Sequence, residues 1–315
     1  MGRDQRYDDY KKHKSPKLKA VRHFLERQTL AGFTALVQGL SIPQAQAWGK
    51  RLGRLSYRFA KKDVSIARYQ LEFALPNLDT TEREALILEC AENVGQTLLE
   101  SLLMDRFRDQ AADWISLSGG EALIPAKEAG QGGIIIFAHM GNWELLSVVY
   151  DLLEIRGLVM KSQVGEEELD QKLVETRRSG RLSVVPRGEA GSAKAILSCF
   201  KAGEFFLMGI DQDLSNVQSR FVPFFGRLAA TPKGPAQLAI KFGVPVFGAF
   251  GRRGKEGRHH FELVPLCAPP YQGGEREEQV LTEQFSLAIE TQIRKQPGQW
   301  VWFHRRWKTQ PDETP

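Results

Sequence analysis

The chain has 315 residues, 42% of them hydrophobic and 26% charged, with a formal net charge of +5 and a pI near 9.0. That length allows one large α/β domain or two small ones, and the basic balance points to an anionic partner without choosing among nucleic acid, phospholipid and acidic protein. The three cysteines Cys90, Cys199 and Cys267 are odd in number and form no CxxC pair, which argues against a disulfide framework or a structural zinc site and fits a reducing compartment.

The first 27 residues carry nine Lys/Arg (Arg3, Arg6, Lys11, Lys12, Lys14, Lys17, Lys19, Arg22 and Arg27) against four acids, and read as a loose basic arm. A helix is expected from Lys17 into the apolar run Leu30–Leu40. That run is too short to span a bilayer and does not read as a clear signal peptide, since the start is polar and carries acids among its bases, so a membrane is expected to be touched rather than crossed. Ser41 and Pro43 read as the cap and early proline of a second helix reaching about Ala60. It mixes Trp48, Leu52, Leu55, Tyr57 and Phe59 with Lys50, Arg51, Arg54 and Arg58, and Lys61 and Lys62 follow. Such a pattern suits an anionic membrane surface, and equally a solvated face packed on its own domain. After the break at Pro76-Asn77, Thr81-Glu82-Arg83-Glu84 reads as a capping box opening a helix to about Leu103.

From about residue 111 the pattern changes. Short apolar runs (Ile134–Ala138, Leu158–Met160, Leu182–Val185, Phe205–Ile210, Val244–Phe250, Phe261–Val264) alternate with helical patterns at Leu145–Leu153, Ala193–Lys201 and Pro235–Phe242. Strands alternating with helices predict an α/β domain over 111–315, with a central mixed, largely parallel sheet, preceded by a helical N-terminal appendage over 1–110.

The sharpest feature is Gly133-Ile-Ile-Ile-Phe-Ala-His139-Met-Gly-Asn-Trp-Glu144. An apolar strand ends, a histidine sits at its carboxyl end, and a helix begins, which is where open α/β sheets gather ligands. A turn tightened at Gly141, with a helix from Asn142, brings Glu144 towards the imidazole. A carboxylate on one ring nitrogen leaves the other as a general base for a substrate hydroxyl, with no Ser or Cys nucleophile on the enzyme. The competing reading is a structural His beside a surface Glu. No metal is expected: HExxH is absent, and His259-His260 falls on a strand or hairpin with no partnering pattern. No cofactor motif is seen.

A second cluster, Asp211-Gln-Asp213 followed by Phe221-Val-Pro-Phe224-Phe225-Gly226, fits a site edge with a surface for a greasy substrate, and fits turn chemistry plus core aromatics as well. Arg177, Arg178, Arg181 and Arg187 suit phosphate or carboxylate, or a solvated helix face. The tail Gln299–Lys308 is aromatic and basic: it can cap the sheet, meet lipid headgroups or stack on nucleic acid.

Taken in order, HMGNWE at 139–144, the arginine stretches at 177–180 and 185–188, DQD at 211–213, FVPFFG at 221–226 and QWVWFHRRWK at 299–308 resemble the late acyltransferases of lipid A biosynthesis, over most of the chain from about residue 45. The resemblance implies a glycerolipid-acyltransferase-like α/β fold and a His/acid dyad, with His139 as base and Glu144 as its orienter. It also implies substrate-binding positions at Asn142, Arg177 or Arg178, and Asp211, with Phe224 and Phe225 beside them. Beyond the site it implies an acyl donor on acyl carrier protein, a lipid hydroxyl acceptor, and a peripheral or shallowly inserted place on the cytoplasmic face of the inner membrane. A nucleic-acid binder is disfavoured, since no reading motif is present and the bases are spread out. A catalytically silent interaction protein is disfavoured by the intact HMGNWE. An enzyme of the same superfamily acting on another glycolipid stays open.

Overall fold

The computed structural model describes residues 31–161, 181–186, 191–214 and 217–311. The chain divides into two compact units, Met1–Ser41 and Ile42–Pro315. In the first, residues 31–38 are helical.

The second unit opens with three helices: α1 (Ile42–Phe59), α2 (Lys61–Ala74) and α3 (Thr80–Glu100). α1 begins where Ser41 and Pro43 signal it. α3 is opened by a reciprocal capping box set two residues earlier than Thr81. The Glu82 amide donates to Asp79 Oδ1 at 2.8 Å, and the Asp79 amide donates to Glu82 Oε2 at 2.8 Å. Asp wins the cap because its carboxylate accepts from the N3 amide without the β-branched constraint of Thr. α1 crosses α3 in close contact through glycines. A Cβ added at Gly49 would lie 2.6 Å from the Gly95 carbonyl oxygen, so only hydrogen fits there. These helices are continuous with the α/β body, since Val64, Ala67, Leu71, Ile87 and Cys90 share one core with Ile134, Ile136, Phe206 and Val246.

Seven strands form the main sheet: β1 (Ile115–Ser118), β2 (Gly133–Phe137), β3 (Gly157–Lys161), β4 (Leu182–Pro186), β5 (Phe205–Gly209), β8 (Val246–Arg253) and β9 (His259–Cys267). Their order is β1-β9-β8-β2-β5-β3-β4, and every pairing is parallel except β8 with β9. The mixed, largely parallel sheet read from the sequence is what the structure has. β2 lies at the centre with all five residues buried, as a parallel strand covered on both faces requires. A separate hairpin, β6 (Ser219–Phe224) with β7 (Arg227–Pro232), carries the Phe/Pro run. Helices α4 (Leu146–Leu152), α5 (Ser192–Lys201), α6 (Gly234–Phe242) and α7 (Glu275–Lys295) cover the sheet, and α7 also seats the hairpin.

Candidate active site

β2 and β5 are neighbours in register, with Phe137 opposite Gly209. Two residues further along each chain stand His139 and Asp211, so adjoining parallel strands deliver both side chains to one spot at the carboxyl edge. His139 Nδ1 lies 2.8 Å from Asp211 Oδ1, and the His139 amide donates to Asp211 Oδ2 at 2.7 Å. Trp300 Nε1 donates to the same Oδ2 at 2.8 Å. Burial pushes the Asp211 carboxyl up, but the charge of His139 and these hydrogen bonds outweigh it and hold its pKa at about 2. Asp211 is therefore an anion, Nδ1 carries the proton it accepts, and Nε2 is left as the basic nitrogen. The His139 side chain is 23% exposed while Asp211 is 1% exposed, so the ring alone faces outward. Gly209 makes room for it: a Cβ there would sit 2.9 Å from the Phe137 ring and 3.1 Å from His139 Cε1.

The turn after His139 is tied down at nearly every polar atom. Gly141 has φ +58°, and a Cβ would fall 2.6 Å from the Gly251 carbonyl oxygen, which restricts the position to glycine. Its amide donates to the Gln299 carbonyl at 3.0 Å. Its carbonyl accepts from Asn93 Nδ2 at 2.9 Å and Thr97 Oγ1 at 3.0 Å. The Val301 amide donates to the His139 carbonyl at 3.1 Å. Asn142, fully buried, caps the next turn by accepting from the Glu144 amide at 3.1 Å, and donates to Glu100 Oε2 at 2.7 Å. Both ends of its amide are thus engaged within the protein. The geometry makes it a holder of the turn, where the sequence suggested a substrate contact.

The carboxylate on the imidazole is Asp211 where Glu144 was expected. The register of two neighbouring strands brings Asp211, 72 positions away, to 2.8 Å from Nδ1. Glu144 lies in the single 3-10 turn Trp143–Leu145, is buried, and accepts from Trp143 Nε1 at 2.9 Å. The Trp143 ring in turn meets the His139 ring edge-on, with centroids 5.2 Å apart.

Beneath the turn lies a sealed polar cluster that the sequence did not disclose. Glu100 is paired with both terminal nitrogens of Arg253, one of them at 2.9 Å, and lies 3.2 Å from His259 Nε2. Gln46 Nε2 donates to its Oε1 at 2.7 Å. Burial works against the Glu100 charge, but Arg253 and His259 outweigh it and keep the carboxyl well below the usual carboxylate range. Asn93, Thr97 and Glu100 recur at three- and four-residue steps on one face of α3, which is the only sequence signal that could have grouped them.

The C-terminal segment ties the two halves of the site together. Residues 299–301 grip the His139 turn while the Trp300 indole grips Asp211. Further on, the Asp213 amide donates to His304 Nε2 at 2.9 Å, and the Thr309 amide donates to Asp213 Oδ2 at 2.7 Å. Part of this tail caps the sheet, with Trp300, Trp302 and Arg306 all buried, while Arg305 and Lys308 stay exposed. Phe224 and Phe225 are buried with them, Phe224 against Trp300 and Trp307 and Phe225 against Trp302. They are core aromatics in place of the expected greasy surface, because the β6–β7 hairpin folds inward onto α7. Arg177, Arg178 and Arg187 lie outside the described residues, and Arg181 immediately precedes β4. Among the described residues no group of three or more His, Cys, Asp or Glu is placed to hold a metal. No helix among them is long and apolar enough to cross a membrane.

A carboxylate-supported imidazole stands at the carboxyl edge of this α/β sheet, an arrangement suited to taking a proton from a bound group. The comparisons with known proteins place the chain in a class of enzyme. The model of the bacterial lipid A biosynthesis acyltransferase family matches residues 11–309, and the chain belongs to that family. It is 27% identical to the lipid A biosynthesis lauroyltransferase of Escherichia coli K12, over 90% of this chain and 92% of that one. It is also 27% identical to the lipid A biosynthesis palmitoleoyltransferase of the same organism, over 84% of each chain. A shorter match, 30% identical over 39% of this chain and 40% of the other, is to the phosphatidylinositol mannoside acyltransferase of Mycolicibacterium smegmatis.

Proposed function

We propose that this enzyme moves a fatty acyl chain from the thioester of acyl carrier protein onto a hydroxyl of a lipid A precursor, at the cytoplasmic face of the inner membrane. His139 Nε2 takes the hydroxyl proton as the oxygen attacks the thioester carbonyl. The tetrahedral intermediate collapses, the C–S bond breaks, and the leaving thiolate recovers the proton from the imidazolium. Asp211 stabilises that imidazolium and fixes the ring. Glu144 completes the constellation by steadying Trp143 edge-on to the ring and adding negative charge close by.

The observation that supports this most directly is the His139–Asp211 pair, with Nε2 the only ring nitrogen left for a substrate. The names of the two Escherichia coli relatives support the acceptor class, and the mannoside acyltransferase match keeps a second glycolipid acceptor in view. A basic chain meeting an acidic carrier protein gains mainly in association rate, and salt weakens that gain. Transfer rates from acyl carrier protein and from coenzyme A carrying the same chain, compared at low and high salt, test the donor. The carrier is expected to be preferred, with a preference that shrinks as salt rises; equal use at low salt removes the carrier from the reading. Mass spectrometry of lipids from cells with and without the protein tests the acceptor, and a gained chain on any molecule other than a lipid A precursor overturns that half.

A further inference from the structure

Between α2 and the C-terminal segment runs a groove of about 270 Å³ that takes no part in the site above. Lys62 stands on one side and Arg305 and Lys308 on the other, all three exposed and none in an ion pair among the described residues. Ile66 and Trp307 supply apolar lining, and the hydroxyls of Tyr69 and Ser65 add donors at the rim. Among the described residues no acidic side chain lines it. The Trp307 indole N–H is buried with no hydrogen-bond partner. Three exposed cations beside an apolar surface, with no acid among the described lining residues, make a favourable setting for an anion.

α1, which precedes α2 directly in the chain, carries an unusual face. Trp48, Leu52, Leu55 and Phe59 recur every three or four residues on it and are 51%, 39%, 52% and 76% exposed. Arg51, Arg58, Lys61 and Lys62 flank this stripe, with Arg51 lying 5.2 Å from the Trp48 ring centre. The stripe ends at Phe59, three residues before the groove's Lys62. An exposed apolar stripe with basic borders is what an interfacial helix presents to an anionic bilayer.

We propose that the Lys62–Arg305–Lys308 groove binds the phosphate headgroup of an anionic membrane phospholipid while the Trp48–Phe59 stripe enters the bilayer interface beside it. The occupant is assigned from chemistry: the groove supplies positive charge and hydroxyl donors for a phosphate, and the stripe supplies apolar contact for the chains of the same lipid. This site rests on the reading of the enzyme as membrane-associated, and not on its reaction.

The test is sedimentation of the full-length protein with phosphatidylglycerol and phosphatidylcholine vesicles at low salt. Three proteins are compared: the parent, K62E/R305E/K308E, and a control, K201E/K255E/R276E, that reverses as many exposed cations elsewhere. Far-ultraviolet circular dichroism checks that all three are folded, and K62Q/R305Q/K308Q replaces the first variant if it is not. The expected result is that the parent prefers phosphatidylglycerol, the groove variant binds it at least tenfold more weakly, and the control loses far less. If the parent prefers phosphatidylglycerol and the groove variant matches the control, the groove is not a headgroup site, although membrane association survives. If the parent binds neither vesicle, both ideas fall. If the groove variant keeps vesicle binding but loses binding to an acidic acyl carrier protein, the groove belongs to the carrier and the assignment to lipid is overturned.

Discussion

Two histidine–carboxylate clusters are linked through the turn that follows His139, and they are built for opposite ends. At the edge, Asp211 is sealed and His139 is partly open, so one ring nitrogen is held and the other is presented. Underneath, Glu100 and His259 are both wholly enclosed, and Arg253 neutralises the carboxylate. The same pair of residue types serves chemistry where one member meets solvent and serves rigidity where neither does. The two are joined through Asn142, which takes its place in the catalytic turn by donating to Glu100. Preorganisation of the imidazole is thus supported from two sides: strand register supplies Asp211, and a buried ion pair supplies the floor.

The comparison is broken most severely at the open cluster. His139→Ala is expected to lower turnover by about 10²–10⁴-fold while the fold survives, because a partly exposed residue just past a strand end contributes little to the core. Asp211→Asn should approach the same loss, since the amide keeps the shape but supplies neither the charge that stabilises an imidazolium nor a reliable tautomer. Steady-state rates of the purified variants, with melting curves alongside, check both. Near-parental turnover in either would remove the pair from the mechanism.

At the sealed cluster the loss should appear in stability first. Glu100→Gln leaves Arg253 buried without its counter-charge, and removing one partner of a buried ion pair typically costs about 3–5 kcal/mol. Chemical denaturation measures this directly. A variant as stable as the parent would mean that the Arg253 charge is satisfied elsewhere, and Asn142 would lose its reason for being held.

Glu144→Gln tests which carboxylate serves the ring. It retains volume and the contact with Trp143, and loses charge. Activity is expected to fall about a hundredfold, less than for Asp211→Asn. A larger fall for Glu144→Gln than for Asp211→Asn would reverse the roles assigned to the two acids.

The sequence made half of this visible. His139 stood out because an all-apolar strand ending in a glycine-bearing turn is a local pattern, and the six principal strand runs stood out for the same reason. Asp211 was visible only as a polar residue after another strand. Its partnership with His139 depends on β2 and β5 being adjacent, a non-local fact that periodicity cannot carry. Glu144 drew attention by nearness in the chain, which is a poor guide to which side chain reaches a ring nitrogen. Phe224 and Phe225 misled because an apolar pair reads alike whether a hairpin turns it inward or outward. Glu100, Arg253 and Trp300 come from three distant segments, and nothing local in the sequence links them to His139. The cations of α1 were legible as a basic face, but Lys50 and Arg54 are turned to Glu92 on α3, which leaves fewer of them for an anionic partner than composition implies.

The finest distinction between the clusters is their response to acid. His259 is fully buried, and burial lowers its pKa; the Glu100 charge opposes this, and Arg253 adds to it. An unfolded histidine takes up its proton near pH 6.5, while folded His259 resists it to lower pH. Between those values the unfolded chain binds more protons, so stability present above about pH 6.5 is lost as pH falls. His304, also lowered mainly by burial, has the same sign. The loss is bounded at about 1.4 kcal/mol per pH unit for each histidine. Glu100 and Asp211, both lowered, add a second loss of the same sign, but only as pH drops from about 4 towards 2. Denaturation midpoints from pH 8 to 5 should therefore slope downward in the parent and flatten in part in His259→Phe, with His304 and His260, both also lowered, contributing to the remainder. An unchanged slope in His259→Phe would show that folded His259 takes up its proton as readily as an unfolded histidine, and the lower cluster would not be the sealed support described here.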